Sequence, residues 1–283
     1  MSLLPEIQHL CQLFDIRLNP NIGQHFITTR RILQLEVKIA NLSQNDIVLD
    51  IGAGFGFLTE EIAKKAGLVY AVEIDRRILE ALKFRLREYI MKGKIKIIEG
   101  DALKVPLPEH VNWIISNPPY HIISPLIIRI LREFFTKNDF RGAIMILQRE
   151  YVKKLFAKPG SKYWGRLSAA FRFFAKGKII KEISPKYFFP MPEVDSVLVK
   201  MWPDRRARLV DFALYEKITA IVFQSPNKKL KRVLKDFLRQ NADNWRALLN
   251  QLSSIINLEK RVREVSVEDL ERVALFLKEK EVI

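Results

Sequence analysis

The 283-residue chain reads as an α/β protein: a doubly wound, mostly parallel sheet ending in an antiparallel hairpin, followed by a small all-helical domain. Three observations predict this. Short apolar runs alternate with segments of helical period through the first half. Two strand-like runs either side of residue 190 have no helix between them. Beyond Leu209 the strand signals stop.

The elements follow in order. IVLDI (47–51) is an apolar run closing on a carboxylate and a glycine-rich turn, and LTEEIAKKA follows with helical spacing. LVYAVE (68–73) is a second strand, followed by a charged amphipathic helix over 76–92. IKIIEGD (95–101) and VNWIISN (111–117) are strands, PLIIRILREFF (125–135) a helix and GAIMILQ (142–148) another strand. Such alternation is the signature of βαβ units. KIIKEI (178–183) and DSVLVKMW (195–202) then pair as the terminal hairpin. PDRRAR (203–208) is a polar linker, so the domain boundary is expected between residues 1–203 and 204–283. The helical tail carries a cap signal at Ser266, three residues before Asp269.

Charge is segregated. Residues 1–140 hold 18 basic and 16 acidic side chains, residues 141–199 hold 12 and 4, and residues 200–283 hold 18 and 12. The near-neutral first half and basic remainder of a chain with formal charge +16 point to a polyanionic partner rather than a uniformly solvated surface. In KKLFAKPGSKYWGRLSAAFRFFAKGK the cations are the binding candidates, and the interleaved aromatics are read as core, given their helical spacing. A single cysteine, Cys11, allows no internal disulfide, no apolar run is long enough to span a bilayer, and MSLLPEIQHL has no signal-peptide pattern. A cytoplasmic protein is expected. No metal site is expected: His9, His25, His110 and His121 show no paired ligand spacing.

The chemistry is expected at the carboxyl ends of the strands, near the point where strand order reverses. Gly52-Ala53-Gly54-Phe55-Gly56 permits close backbone approach to a ligand, but Phe57 departs from a dinucleotide fingerprint. Glu73 ends the second strand where a carboxylate accepts from ribose hydroxyls, and Asp101 ends the third, where it can accept from an adenine amine. Asn117-Pro118-Pro119-Tyr120 is the most informative segment. The prolines stiffen the turn and remove two donors. An Asn oxygen and a proline carbonyl together can accept both hydrogens of an exocyclic amine, and Tyr120 offers a ring for a base to stack on.

DIGAGFG, VEID, EGDA and NPPY in this order resemble S-adenosylmethionine-dependent methyltransferases acting on adenine amino groups. NIGQHFI (21–27), LQRE (147–150), KPGSKYWGRLS, FFPMPEVDS (188–196) and the helical tail from Phe223 resemble one branch, the KsgA-type small-subunit rRNA adenine dimethyltransferases, in a form like the archaeal members. The resemblance implies a Rossmann-like class I methyltransferase sheet and S-adenosylmethionine as cofactor. It implies a cofactor set of Gln24, His25, Ile27, Gly52, Glu73, Asp101, Ala102 and Asn117, and a catalytic set of Asn117, Pro118, Tyr120 and Phe188. Tyr120 and Phe188 would sandwich a flipped adenine, with Phe189 as the substitute for Phe188 and as the residue expected in the core. The implied activity is dimethylation of two adjacent adenosines of small-subunit rRNA in an immature subunit, by a monomer, during ribosome biogenesis. The alternatives are an enzyme acting on large-subunit rRNA, or a non-catalytic assembly or transcription factor that keeps the fold.

Overall fold

The computed structural model describes residues 2–283. Its strands are β1 (Phe26–Ile27), β2 (Ile47–Ile51), β3 (Leu68–Glu73), β4 (Ile95–Glu99), β5 (Trp113–Ser116), β6 (Gly142–Gln148), β7 (Ala175–Ile183), β8 (Phe188–Phe189) and β9 (Ser196–Pro203). Seven form one sheet in the order β4-β3-β2-β5-β6-β9-β7, and β1 pairs with β8 in a separate ribbon. The four pairings among β2 to β6 are parallel, and β9 runs antiparallel to β6. The expected parallel sheet with a terminal hairpin is present, with β9 seated between β6 and β7. Strand order reverses between β2 and β5, which opens a crevice at their carboxyl ends. All of β5 and six residues of β6 are buried, as in a sheet covered on both faces.

Local chemistry sets the helix ends. Asp75 caps the helix Arg76–Arg85 by accepting from the N–H groups of Arg77 and Ile78. Asn41 closes the helix Arg30–Ala40 in the left-handed conformation. Ser266 accepts from Asp269 N–H at 3.0 Å, the cap expected from sequence. The helix expected over 76–92 is broken: Leu86 leaves helical geometry, its side chain buried beside Gly56, and a short helix Arg87–Met91 follows.

The chain divides into two compact units. The first runs to Val152 and resumes at Lys176–Pro203; the second is Lys153–Ala175 with Asp204–Ile283. The second unit takes up the chain after Pro203 and also includes residues 153–175, which lie within the expected 1–203 segment and pack with the helical tail. The cause is aromatic. Phe173 stacks 4.5 Å from Tyr215, Phe174 lies 4.5 Å from Phe212, and the Arg208 guanidinium sits 4.9 Å over Phe173. Trp164, Phe171, Phe173 and Phe174 are buried, so these aromatics are core, as their spacing implies.

Candidate active site

β2 delivers the chain into a turn of three left-handed glycines: Gly52, Gly54 and Gly56 have φ of +72°, +57° and +76°. All three also face close neighbours, and a Cβ on Gly56 would lie 2.6 Å from Leu86 Cδ1. A Cβ on Gly52 would lie 2.8 Å from Pro119 Cδ, and one on Gly54 2.6 Å from Phe26 Cε1. Gly52 and Ala53 donate to the Val72 carbonyl at 2.9 and 3.0 Å, which ties the turn to β3.

Glu73 is buried at the end of β3 and accepts three backbone bonds, from Gly54 N–H at 2.8 Å and from Ile74 and Asp75 N–H at 2.9 Å each. Burial pushes its carboxyl up, and the backbone bonds oppose that shift. Asp50, on the neighbouring strand β2, accepts from the Thr59 hydroxyl at 2.7 Å. Burial raises it to about 7 against that bond, and Glu73 adds to the rise.

The segment before β1 closes over this edge. Gln24 Nε2 donates to Asp75 Oδ2 at 3.2 Å, and its Oε1 accepts from Asn19 N–H at 2.7 Å. His25 Nδ1 donates to the Pro190 carbonyl at 2.7 Å, and its ring centroid lies 5.6 Å from that of Tyr120. Ile27 is buried opposite Phe188.

Asn117 follows β5. Its Oδ1 accepts from Ile146 N–H at 3.2 Å and its Nδ2 donates to Glu36 Oε1 at 3.1 Å. An amide oxygen has two lone pairs, so one remains for a ligand. The Tyr120 hydroxyl shares a hydrogen bond of 2.7 Å with Ser196 Oγ.

These groups surround a cleft of about 800 Å³, counting its open mouth. Of the residues singled out from sequence, Gln24, His25, Ile27, Gly52, Glu73 and Asn117 line it. Pro118 and Tyr120 stand beside the lining: Pro118 Cα is 3.6 Å from the Cβ position of Gly52, and Tyr120 N is 2.8 Å from that of Gly23. Asp101 and Ala102 are not on the cleft wall. Asp101 instead accepts from Leu103 N–H at 2.9 Å, with Lys104 Nζ 3.6 Å away, while Ala102 is buried with its carbonyl bound to Arg129 Nη1 at 2.6 Å.

Phe188 also lies off the wall, and it corrects the expectation about the Phe pair. Directly opposed residues of a strand pair share a face. Phe188 therefore follows buried Ile27 into the core at 6% exposure, whereas Phe189, opposite Phe26, is only partly buried. Asp50, Phe26 and Pro119 line the cleft as well, although the sequence analysis assigns them to neither the cofactor set nor the catalytic set. Asp50 carries a signal, being the acid that ends an otherwise apolar strand. Glu36 also escapes the sequence reading, although its place in the repeat Ile32-Leu33-Glu36-Val37-Ala40 puts a carboxyl on a core-facing stripe. Among the described residues no group of three or more His, Cys, Asp or Glu side chains is arranged to hold a metal.

A profile of the family described as "Ribosomal RNA adenine dimethylase" matches residues 16–279. "Probable ribosomal RNA small subunit methyltransferase A" of Pyrococcus furiosus is 36% identical over 260 residues, covering 91% of this chain and 91% of that protein. "Ribosomal RNA small subunit methyltransferase A" of Thermotoga neapolitana is 34% identical over 258 residues, covering 91% and 90%. A dimethyladenosine transferase structure from Plasmodium falciparum superposes with a TM-score of 0.79 at 26% identity, covering 91% of this chain and 98% of that one. The 23S rRNA methyltransferase ErmE shares the fold, with a TM-score of 0.64 at 23% identity, covering 89% and 98%.

Proposed function

Because the chain belongs to the ribosomal RNA adenine dimethylase family, we propose that it methylates the exocyclic amines of adenosines in small-subunit rRNA, with S-adenosylmethionine as the methyl donor. The observation that carries this reading is the juxtaposition of Asn117 with the glycine turn and Glu73 around one cleft at the strand-order reversal.

The cleft fits the cofactor. The glycine turn brings its backbone to the cleft wall, with Gly52 and Gly54 packed against Pro119 and Phe26, and Glu73 brings an acceptor there. When bound, the cofactor supplies an electrophilic methyl group on a sulfonium. Glu73 holds the ribose with lone pairs left over from its backbone bonds. Gln24, His25 and Ile27 line the cleft on the N-terminal side, and Asp101 and Ala102, which lie off its wall, would hold the cofactor's adenine.

An adenine amine is a poor nucleophile because its lone pair is delocalised into the ring. Asn117 Oδ1 and the Pro118 carbonyl accept its two hydrogens, favouring a tetrahedral nitrogen with a localised lone pair, a geometry approached only in the transition state. Tyr120 offers the flipped base a ring face, and the second face is assigned to Phe188, with Phe189, the less buried of the two, as its substitute. The released proton passes to water. The enzyme acts as a monomer in the cytoplasm on an immature small subunit, dimethylating two adjacent adenosines. No helix is long and apolar enough to cross a membrane among the described residues.

The test is incubation with isotope-labelled S-adenosylmethionine and immature small subunits, followed by nucleoside analysis of the RNA. Dimethyladenosine in small-subunit rRNA is the expected product. Label confined to large-subunit rRNA, or absent despite cofactor binding, would refute the assignment.

A further inference from the structure

Glu36 is fully buried, although its carboxyl is charged in water, and it sits on the core-facing stripe of the helix Arg30–Ala40. Its Oε1 accepts from Asn117 Nδ2 at 3.1 Å, and its Oε2 is buried without a hydrogen-bond partner among the described residues. The carboxyl does not line the cleft; it stands behind Asn117, which does. A leucine of similar length would suit this stripe and leave no orphaned oxygen. A carboxyl in such a place costs stability, and groups of that kind persist where they serve a site.

On the reading that Asn117 receives the target amine, we propose that Glu36 is a positioning residue for methyl transfer, holding the Asn117 carboxamide from behind so that Oδ1 stays turned toward the amine. The clamp has two points. Ile146 N–H takes one lone pair of Oδ1, and Glu36 takes one hydrogen of Nδ2. Together they stop rotation of the amide about its Cβ–Cγ bond. Donation from Nδ2 to an acceptor also raises electron density on Oδ1, which strengthens its hold on the amine. Burial pushes the Glu36 carboxyl well up, opposed by the Asn117 bond and reinforced by Asp50. That shift favours the neutral acid, whose carbonyl oxygen still accepts.

The experiment compares Glu36→Leu, Glu36→Gln, Asn117→Ala and the double variant Glu36→Leu/Asn117→Ala on immature small subunits. Turnover, cofactor affinity and melting temperature are measured for each. Glu36→Leu is expected to lower kcat by about 10- to 100-fold, the scale of a misoriented catalytic group. Its cofactor affinity should change by less than about twofold, and its melting temperature should move little, because loss of the orphaned Glu36 oxygen offsets the Asn117 Nδ2 hydrogen left without an acceptor. Glu36→Gln, which keeps an acceptor, should stay within about threefold of wild-type kcat. The double variant should turn over no more slowly than Asn117→Ala alone, because both changes remove one function.

Wild-type kcat in Glu36→Leu overturns the proposal. So does a kcat loss matched by a fall in melting temperature, which marks a structural role. Additive losses in the double variant, or a Glu36→Gln as slow as Glu36→Leu, overturn it as well. Full turnover in Asn117→Ala overturns the reading of the site itself, and the proposal with it.

Discussion

The carboxyls of the cleft each do more than one thing. Glu73, expected to bind ribose, also satisfies the N–H groups of Gly54, Ile74 and Asp75. Glu73→Ala should therefore weaken S-adenosylmethionine binding by about 1–3 kcal/mol and lower the melting temperature of the free protein, since buried donors are left without a partner. Calorimetric titration and thermal unfolding measure the two effects, and unchanged affinity in a folded variant would remove the ribose role. Asp50 gives a pH dependence. Its carboxyl titrates at 3.8 when unperturbed and at about 7 in the fold. Between those values the folded state keeps a proton that the unfolded state releases. Stability should thus fall as pH rises from about 4 to about 7 and then level, with a total effect on the order of 4 kcal/mol. The raised carboxyls of Glu36 and Glu73 act in the same direction. The lowered carboxyls of Glu60 and Glu61 act oppositely, but below their ordinary value of 4.5. Denaturant unfolding between about pH 5.5 and 8.5 follows the raised carboxyls without the lowered ones, and Asp50→Asn should make the curve shallower.

Among the elements, Arg85 joins three helices. Its guanidinium bonds Glu6, Glu60 and the Phe55 carbonyl and lies 4.0 Å over the Phe57 ring, with 9% of the side chain exposed. Glu60 keeps Arg30 and Lys64 as partners, so Arg85→Ala should cost about 2–3 kcal/mol rather than the full penalty of an isolated buried charge. Scanning calorimetry measures this, and an unchanged melting temperature would show these bonds to be idle. Most elements at this scale are legible in the sequence, because sheet strands and amphipathic helices announce themselves by period. The β1–β8 ribbon is not, since two residues per strand carry no period, and that is why Phe188 and Phe189 are reversed in burial relative to expectation. The break at Leu86 is hidden because it depends on packing beside Gly56 rather than on a proline or glycine in the helix. Glu36 and the membership of residues 153–175 likewise depend on tertiary partners, Asn117 in one case and Phe212 and Tyr215 in the other. The glycine turn, Glu73 and Asn117 are readable because strand ends of a doubly wound sheet converge wherever the order reverses.

For the whole molecule, charge segregation predicts that RNA affinity resides chiefly beyond residue 140. Lys228, Lys229, Lys231 and Arg232 are exposed, but Lys229 and Lys231 share Glu259, at 2.7 and 3.3 Å. The pairing of Lys229 with Arg261 brings further cations to the same place, with Arg261 Nη1 bound to the Asn227 carbonyl at 2.7 Å. Exposed pairs are weak and yield to phosphate. Replacing all four cations with Ala should weaken RNA binding and make the slope of log affinity against log salt shallower by about 0.7 for each phosphate the variant no longer neutralises. The Lys228→Ala/Arg232→Ala pair alone should supply more than half of that change. Cofactor affinity should be untouched. Identical slopes in a salt titration would mean that the charge of these four is a solvated surface, and the phosphate-binding cations would lie within residues 141–199 or elsewhere.

The interrupted course of the chain bears on how the protein is made. Translation delivers β6 and then residues 153–175, whose Phe173 and Phe174 await rings that appear only after Pro203. Until β9 emerges, β6 presents an open edge on a newborn chain still tethered to its synthesis machinery. The sheet is complete only at Pro203, after the opening helices of the second unit have been made, and those helices still need the tail. A nascent chain released at Pro203 would therefore carry a completed sheet and an uncovered aromatic stretch, a species prone to self-association rather than a free-standing half.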